Sequence, residues 1–456
     1  MGFGIAIVVA VAVVHYYLWR RLIRPATTPG SRARRVAVWA LFLLAAPLVL
    51  TRAGGRIFGT GFEHFIAWPG YLWLAIMFYL LVFALVMEIP RALALLAVRR
   101  IERRETGSTA AAPATPATPA TPAAQDELPV AALAASGASA PEATSGASSP
   151  APADITSHGR DDRPEDAAVP REGRIDRRMF ISRTASAVVG VGALATVGYG
   201  VATALGDPII ERVPVRLARL DPRMNGLRIA VVSDIHLGPL TGIGHTERIT
   251  RMINGLQADV VTIVGDLVDG SVAELGALAA PLKDLESRYG AYFVTGNHEY
   301  YTSAGPQEWI DELDSLGVRS LRNERVEISH AGAVLDLAGV NDLNGAAYGD
   351  GPDFGKALDG RDAARPVVLL AHQPVQVETA AERGVDLQLS GHTHGGQIAP
   401  FNLVVSLQQP VVAGLAAFPR AGGGETQVYV TRGAGYWGPP VRVGAPPEIT
   451  LIELHA

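Results

Sequence analysis

Long apolar runs alternate with clusters of arginine in the first part of the chain. The runs cover residues 3–19, 36–50 and 71–89, and each approaches the roughly 20 residues with which a helix crosses about 30 Å of hydrocarbon. Six arginines separate the first two runs, whereas two separate the second from the third. The pattern predicts a membrane domain of residues 1–105 with three transmembrane helices, a cytoplasmic first loop and an external amino terminus. Buried helices of a soluble domain are the alternative.

The next two segments differ sharply in composition. Residues 106–172 consist largely of Ala, Pro, Thr and Ser, a composition that predicts a disordered cytoplasmic linker. Residues 173–207 contain Arg177 and Arg178 before an apolar stretch, which is typical of a twin-arginine export signal or of a fourth transmembrane helix with a positive flank. Ala202-Thr203-Ala204 is a candidate cleavage site, although we favour retention of the segment as an anchor. Both interpretations predict a multi-pass inner-membrane protein whose C-terminal part is extracytoplasmic.

Residues 208–456 change to short apolar strands that alternate with amphipathic helices. The predicted strands are 227–232, 260–264, 292–295, 334–340, 367–371, 387–390, 428–431 and 449–454. Helical patterns cover 246–256, 273–287, 306–316 and 376–383. The early strand–helix alternation indicates an α/β fold with a parallel sheet, and the later strands predict a second sheet packed on the first.

Composition restricts the chemistry that these elements can carry. The chain has 456 residues, 48% of them hydrophobic and 18% charged, and a formal net charge of −5. That charge gives no basis for nucleic-acid binding. There is no cysteine, which excludes disulfides, thiolate nucleophiles and thiolate zinc sites. Histidine, aspartate, glutamate and asparagine remain as protein ligands for a metal.

Several of the predicted strands end in residues of this kind. Asp234 and His236 follow the first strand, and their alternation predicts that both point the same way. The other strand ends carry Asp266 after Gly265, Asn297 and His298 after Gly296, His372, and His392 with His394 after Gly391. In open α/β folds the carboxyl ends of the strands are where ligands bind. The sequence therefore predicts one cluster of metal ligands.

This set of candidate ligands suits two divalent ions about 3.5–4 Å apart, because such a pair of ions needs a bridging carboxylate and neutral ligands. Two carboxylates and a hydroxide reduce a charge of about +4 to about +1, which still attracts phosphate. The mixed nitrogen and oxygen ligands favour manganese, iron or zinc over magnesium or calcium.

In this order the motifs resemble those of the calcineurin-like metallophosphoesterase superfamily. They are Asp-x-His (234–236), Gly-Asp-x-x-Asp (265–269), Gly-Asn-His-Glu (296–299), His372 and Gly-His-x-His (391–394). The Gly-His-Thr-His-Gly-Gly-Gln form resembles the bacterial, membrane-associated branch, and the resemblance covers roughly residues 225–455. It implies an α-β-β-α sandwich, in which two packed mixed β-sheets are flanked by helices. Glu299 stands where many relatives have aspartate.

The resemblance also implies a role for each motif residue. The first ion would be held by Asp234, His236 and His394, and the second by Asn297, His372 and His392. Asp266 would bridge them, and a hydroxide between the ions would attack phosphorus. His298 would act on the substrate as the catalytic residue, either stabilising the transition state or protonating the leaving oxygen. Asp269 is predicted to support the bridging region from behind.

The leading functional prediction is a membrane-anchored, two-metal phosphoesterase for a phosphate mono- or diester, with manganese favoured. The first alternative is a pyrophosphohydrolase for a nucleotide-linked acyl sugar or another phospholipid-like substrate. The second is a metal-binding sensor without turnover. The predicted partners are a phosphate-ester substrate, which a lipid could carry, and the membrane, with no nucleic acid and no protein. Two features stay open: Arg432 contacts phosphate or forms a salt bridge, and residues 400–415 form a hydrophobic wall or an ordinary core segment.

Overall fold

The computed structural model describes residues 2–58, 60–109, 177–302, 305–420 and 422–456. Side chains are described for residues 8–48, 50, 65–101 and, with the same two gaps, from 177 onward. The chain divides into one unit of residues 1–94 and 178–456 and another of residues 95–177. Most of the predicted linker, 110–172, lies outside the described residues. Its first four residues are helical, because the preceding helix continues to Thr109.

Four helices precede the C-terminal domain: α1 (Gly2–Leu18), α2 (Arg32–Phe58), α3 (Thr60–Thr109) and α4 (Arg177–Leu205). Within the described residues, Phe65–Ile101 in α3 and Arg177–Leu205 in α4 are long and apolar enough to cross a membrane. α3 packs against α4 through Ala75, Tyr79, Ala193 and Val197. On another side, Trp73 and Met77 of α3 pack against Leu18 of α1.

The C-terminal domain contains twelve strands and six further helices among the described residues. The strands are β1 (Ile209–Arg216), β2 (Leu227–Val232), β3 (Val260–Val264), β4 (Ala291–Val294), β5 (Val318–Ser320), β6 (Glu324–His330), β7 (Ala333–Gly339), β8 (Val367–Leu370), β9 (Leu387–Ser390), β10 (Gly414–Pro419), β11 (Glu425–Val430) and β12 (Glu448–His455). The helices are α5 (Ile243–Gly255), α6 (Val272–Ala279), α7 (Gln307–Ser315), α8 (Phe354–Leu358), α9 (Val377–Glu382) and α10 (Asn402–Val405).

Two six-stranded mixed sheets form the centre of the domain. Their strand orders are β1-β12-β2-β3-β4-β5 and β10-β11-β9-β8-β7-β6. In the first sheet β2, β3, β4 and β5 are parallel, and β12 runs antiparallel to β2. In the second sheet β7, β8, β9 and β11 are parallel. All the loops that follow the parallel strands of one sheet therefore leave from the same edge.

Three buried apolar layers hold the sheets and helices together. The middle layer lies between the sheets and includes Ile229, Val231 and Leu337. On the outer face of the first sheet, Ile263 and Phe293 pack against Trp309 of α7 and residues of α5 and α6. The outer face of the second sheet packs against α8 and α9. Because each β-strand alternates its faces, one sheet supplies side chains to two layers. The predicted α-β-β-α sandwich is confirmed.

All eight predicted strands are present, with ends that differ by three residues at most. Four strands were not predicted: β1, β5, β6 and β10. They are the four edge strands of the two sheets. An edge strand is solvated along one side, and its burial alternates, as in β10. It therefore lacks the continuous apolar run that marks the buried central strands.

Candidate active site

The predicted site residues lie on loops that follow five strands of the two sheets. The first sheet contributes the loops after β2, β3 and β4, and the second contributes those after β8 and β9. These loops approach one another closely at glycines. A Cβ atom on Gly265 would meet the ring of His372, and one on Gly296 would meet the Asp266 carboxylate. The structure thus brings the side chains of both sheets together at a single place.

The backbone of these loops is unusual for residues with side chains. Five predicted site residues have φ in the left-handed region: Asp234 (51°), His236 (49°), Asp266 (51°), His392 (72°) and His394 (52°). Such a conformation costs about 1–3 kcal/mol at a non-glycine residue and persists where the surroundings fix it. It clusters here at the candidate site, which indicates that the fold holds these side chains in position at some expense of stability.

One group of three side chains forms around His236. Asp234, His236 and His394 offer ligand atoms that all lie within 4.8 Å of one another. The Nε2 atoms of His236 and His394 are 3.1 Å apart, and Nε2 of His394 is 3.3 Å from Oδ1 of Asp234. Two ring nitrogens that face each other with a carboxylate beside them form a donor set that a divalent cation satisfies.

A second group forms around Asp266. Asp266, His372 and His392 lie within the same mutual limit of 4.8 Å, and His372 Nε2 is 3.2 Å from Asp266 Oδ2. Asn297 joins this group because its Oδ1 is 2.8 Å from Nδ1 of His392. Oδ2 of Asp266 also lies 3.8 Å from Nε2 of His236 in the first group. Asp266 therefore stands between the two groups.

Hydrogen bonds behind the rings fix which nitrogen faces the centre. His236 Nδ1 pairs with Asp269 Oδ1 at 2.8 Å, and His372 Nδ1 pairs with the Val264 carbonyl at 2.7 Å. Each ring then presents Nε2, as metal-binding histidines do when Nδ1–H donates to an oxygen. Among the described residues, Nε2 of His372 is buried without a hydrogen-bond partner. A buried nitrogen without a partner is costly unless a ligand occupies that position, so the residues fit a metal.

The electrostatics of the groups agree with their use as ligands. Burial alone would raise the pKa of Asp266, but His372 and His298 hold it well below its usual range. The same balance, with His394 as the main opposing group, lowers the pKa of Asp234. Burial and the nearby His372 lower the pKa of His392 to about 4. Burial opposes protonation of His372, but Asp266 outweighs it and raises the pKa of His372 well above its usual range. A cation bound beside Asp266 would take the place of that proton.

His298 lies beside both groups. Its Nε2 is 4.0 Å from Asp266 Oδ2, and its Nδ1 is 2.7 Å from Asp269 Oδ1. Burial opposes protonation of His298, but Asp266 and Asp269 outweigh it and raise the pKa to about 9. His298 is therefore protonated at neutral pH.

Two residues support the site in ways that sequence spacing does not reveal. Glu299 is buried and accepts hydrogen bonds from the backbone N–H groups of Asp266 at 3.1 Å, Leu267 at 2.8 Å and Gly296 at 2.6 Å. It thus joins the loops after β3 and β4, while burial and the nearby Asp266 raise the pKa of Glu299 to about 7. The Glu-for-Asp difference in the motif falls on this residue.

Arg442 is the second support, and it is fully buried. Its guanidinium donates to five carbonyl oxygens, those of His394, Arg432, Gly433, Gly435 and Ala445. Its backbone N–H donates to Gly200 of α4 at 2.9 Å. One residue therefore connects the loop of His394 to the helix before the domain.

The open question about Arg432 is answered by its ion pairs at 2.7 Å with Glu211 and Glu448, so the salt-bridge interpretation is confirmed.

A cavity of about 320 Å³ opens beside the two groups. His236, Asp269 and His298 line its inner end, and the aromatic side chains of Tyr301 and Trp437 stand at its mouth. Both are exposed, at 63% and 50%. Tyr71 of α3 also lines the cavity. A residue of the apolar helix thus forms part of the wall of the site.

Fold and site together define an α/β protein with a candidate metal centre at the carboxyl edge of two packed sheets. A family model described as calcineurin-like phosphoesterase matches residues 227–396. The chain belongs to the calcineurin-like metallophosphoesterase family. Members of this family generally use two divalent metal ions.

Three relatives illustrate the similarity. A "Transmembrane protein with metallophosphoesterase domain" of Bos taurus is 43% identical over 296 residues, covering 62% of this chain and 65% of that protein. An "Uncharacterized metallophosphoesterase" of Helicobacter pylori strain J99 is 40% identical over 266 residues, 57% of this chain and 68% of that protein. One of Aquifex aeolicus is 32% identical over 247 residues, 54% of this chain and 91% of that protein. The chain spans slightly less than two thirds of the bovine relative.

Proposed function

We propose that this protein is a membrane-anchored hydrolase that cleaves a phosphate mono- or diester at a centre of two divalent ions. The observation that carries the proposal is the position of Asp266 between two ligand groups. Its Oδ2 lies 3.8 Å from His236 Nε2 and 3.2 Å from His372 Nε2. A carboxylate that faces both groups is the bridge that a pair of ions requires.

The ligands follow from the two groups. Asp234, His236 and His394 would hold one ion, and Asn297, His372 and His392 would hold the other. The nitrogen-rich set, with Asp234 and Asp266 as the carboxylates, supports manganese, iron or zinc, and manganese is our first choice. When bound, the ions supply the acidity that makes water a nucleophile at neutral pH and the positive charge that stabilises the phosphoryl oxygens.

The chain's own residues supply the remaining chemistry. His298 is protonated at neutral pH and lies in the cavity, so it donates its Nε2 proton to the leaving oxygen. Asp269 binds Nδ1 of the same ring at 2.7 Å, which fixes the ring and keeps it charged. Tyr301 and Trp437 cover the ring from two sides, with centroids 4.9 and 6.2 Å away. They limit the access of water to the transferred proton.

The role of Asp269 gives a pH prediction. Asp269→Asn removes one of the negative charges that raise the pKa of His298 to about 9. A histidine whose folded pKa is raised works as an acid below that pKa and fails above it. We therefore expect the alkaline limb of kcat/KM, near pH 9 in the wild type, to move to lower pH in Asp269→Asn. The profile is measured with saturating metal, because Asp269 also orients His236. An unchanged limb would contradict the assignment of His298 as the acid.

The membrane part of the proposal rests on the positions of arginines. Arg20, Arg21, Arg24, Arg34 and Arg91 line one depression at one end of the helices. The C-terminal domain contacts α3 at the end of its apolar stretch that lies opposite these arginines. Tyr71 precedes Arg91 by twenty residues, or about 30 Å of helix, which is the thickness of a hydrocarbon core.

Arginine-rich ends face the cytoplasm, so the catalytic domain lies on the extracytoplasmic side of the inner membrane, and α1, α2, α3 and α4 make the protein multi-pass. A reporter fused after residue 210 tests this orientation. Reporter activity confined to the cytoplasm would reverse it.

A second candidate function is hydrolysis of the pyrophosphate in a nucleotide-linked acyl sugar, or of another phospholipid-like substrate. The observation in its favour is Tyr71, which places an apolar helix in the wall of the cavity. A substrate that carries acyl chains has a hydrophobic part to lie along such a helix.

A substrate panel decides between the two functions. Full-length protein in detergent is supplied with manganese, iron or zinc and offered aryl monoesters, aryl diesters, phospholipids and nucleotide-linked acyl sugars. We expect turnover of an aryl ester that stops on chelation and returns with metal. Turnover of the acyl-sugar pyrophosphate with inert simple esters would favour the second function. Metal binding without turnover of any ester would contradict both and leave a sensor.

A further inference from the structure

The segment that follows His394 combines exposure with an absence of charge. No Asp, Glu, Lys or Arg occurs between His394 and Arg420. Five large apolar side chains in it are exposed: Phe401 (45%), Leu403 (65%), Val404 (47%), Leu407 (83%) and, further along, Leu415 (43%). The interpretation of this tract as an ordinary core segment is wrong for these residues. A run of exposed apolar side chains on one surface marks a site that another apolar phase or partner covers.

The segment is attached to the apolar helices. The Tyr79 hydroxyl of α3 donates to the carbonyl of Ala399 at 2.9 Å. The side chain of Ile398 packs on the cluster that contains Ala75 and Val197 of α3 and α4. The exposed side chains therefore begin directly beside the two helices that are long and apolar enough to cross a membrane.

The contact with Tyr79 sets a depth. Tyr79 precedes Arg91 by twelve residues, which is about 18 Å along a helix that rises about 1.5 Å per residue. Arg91 lies with four other arginines at the charged end of the helices, where it marks the surface of the hydrocarbon. Since the hydrocarbon is about 30 Å thick, Tyr79 lies about 12 Å inside the opposite surface. Helix tilt would place it deeper below that surface.

α4 gives an independent measure. Arg183 at its start donates to the carbonyl of Ala26 at the charged end, and Gly200 follows seventeen residues later, about 26 Å along the helix. Gly200 accepts the backbone hydrogen bond of Arg442, and a Cβ there would collide with Val441 and Val443. The domain therefore meets α4 near the outer surface and reaches α3 below it.

We propose that residues 398–407 are inserted into the apolar layer of the bilayer beside α3, so that the metal site opens at the membrane surface to phosphate esters carried by lipids. The first half rests on the contacts above and on the proposed membrane anchoring, whereas the second half also rests on the proposed hydrolase function. The inserted segment touches the site directly. α10 packs on the turn of His394–Gly396, where a Cβ on Gly396 would meet Asn402. Tyr71 brings α3 into the cavity wall.

A second copy of the chain could also cover an apolar surface, but the geometry favours lipid. The segment is continuous with α3 at a depth where a membrane-spanning helix is surrounded by acyl chains. Of the exposed side chains in residues 398–407, Ser406 alone is polar, and its hydroxyl donates to the carbonyl of Leu403 at 2.9 Å. Insertion of the apolar side chains beside an anchor adds binding energy in proportion to the apolar area transferred.

The absence of cysteine makes a direct test of insertion possible. Leu403→Cys and Leu407→Cys in the full chain each create a single labelling site for an environment-sensitive fluorophore. Tyr348→Cys is the matched control, because Tyr348 is 65% exposed, as Leu403 is, and lies outside the cavity lining. In phosphatidylcholine–phosphatidylglycerol vesicles we expect brominated acyl chains to quench labels 403 and 407, and iodide to lose its quenching there. Label 348 should show the reverse.

Two outcomes of the labelling experiment overturn insertion. Iodide quenching at 403 and 407 equal to that at 348 means that water covers the segment. Protection from iodide without quenching by brominated lipid means that protein covers it, as in a dimer.

The second half of the proposal, that the site takes phosphate esters carried by lipids, is tested separately. The ester that turns over fastest in the panel is presented on dioleoylglycerol in vesicles and on dibutyrylglycerol in solution. We expect Leu403→Asp with Leu407→Asp to lose hydrolysis of the dioleoyl ester and to retain that of the dibutyryl ester. Equal rates on both esters in this variant overturn access from the membrane. If the wild type hydrolyses no ester, the proposed function fails, while lipid quenching at 403 and 407 still supports insertion.

Discussion

Replacement of Asp266 by Asn is expected to lower the turnover of a phosphate ester by more than about a hundredfold and to reduce bound metal. Partners behind a ligand already change metal affinity or activity by about 10–100-fold, and Asp266 faces both ligand groups. The substitution keeps the shape of the side chain, and asparagine tolerates the left-handed backbone found at this position. The amide oxygen can still accept the hydrogen bond of the His298 N–H. The lost negative charge is therefore the change that matters.

Metal content and steady-state rates of the purified full chain are the measurements. Asp336→Asn is the matched control, because Asp336 is also a buried aspartate, 1% exposed, on β7 of the second sheet. We expect the control to retain metal and turnover. Full activity in Asp266→Asn would show that no bridging carboxylate is needed and would remove the two-ion centre from the proposal.

Replacement of His298 by Ala is expected to lower kcat by about 10²–10⁴-fold, the usual contribution of a positioned general acid, with metal content unchanged. The loss should depend on the leaving group. An aryl ester leaves as a stable phenolate and needs little protonation, whereas an alkyl ester needs the proton fully. The deficit of His298→Ala should therefore be larger for alkyl than for aryl esters.

His330→Ala serves as the control, since His330 lies on the edge strand β6 and pairs with Tyr289 at 2.9 Å. We expect it to behave as the wild type on both kinds of ester. An equal loss on aryl and alkyl esters in His298→Ala would indicate a positioning role for this ring. Loss of metal in the same variant would instead make His298 a ligand, which its place in a group with His236 and Asp266 allows.

The central part of the fold was predictable because it is fully buried. β2, β3 and β9 have the predicted ends, since continuous apolar runs bounded by glycine or polar residues define a buried strand. The edge strands were not predictable by the same signal. β6 alternates charged and apolar residues at the solvent boundary, and β5 has three residues. Of the four edge strands, β1 alone has its partner far along the chain, in β12. β5, β6 and β10 pair with the strand next to them in the chain, so their short or solvent-facing sequences are what conceals them.

The candidate site also has a part that the sequence predicted and a part that it did not. The strand ends predicted one cluster of metal ligands, and the resemblance to the family assigned Asp234, His236 and His394 to one ion. The structure has these three residues adjacent. The residues that hold the site in place could not be recognised in the sequence. Arg442 contacts His394 across 48 residues and belongs to no motif. Asp269 was predicted to support the bridging region, but its bond to His298 depends on how two loops meet. Motifs therefore predict the ligands, whereas tertiary contacts decide what holds them.

β12, near the end of the chain, lies between β1 and β2. The first sheet therefore stays open during synthesis, because β2 lacks a neighbour on one side until more than 200 later residues have been made. Pairings across such a sequence distance form late. The loop that carries Asp234 is also held by the backbone N–H groups of Ala434 and Gly435, which are translated almost as late. A chain that has been made only as far as residue 430 thus lacks two of the backbone hydrogen bonds that hold the Asp234 loop in place.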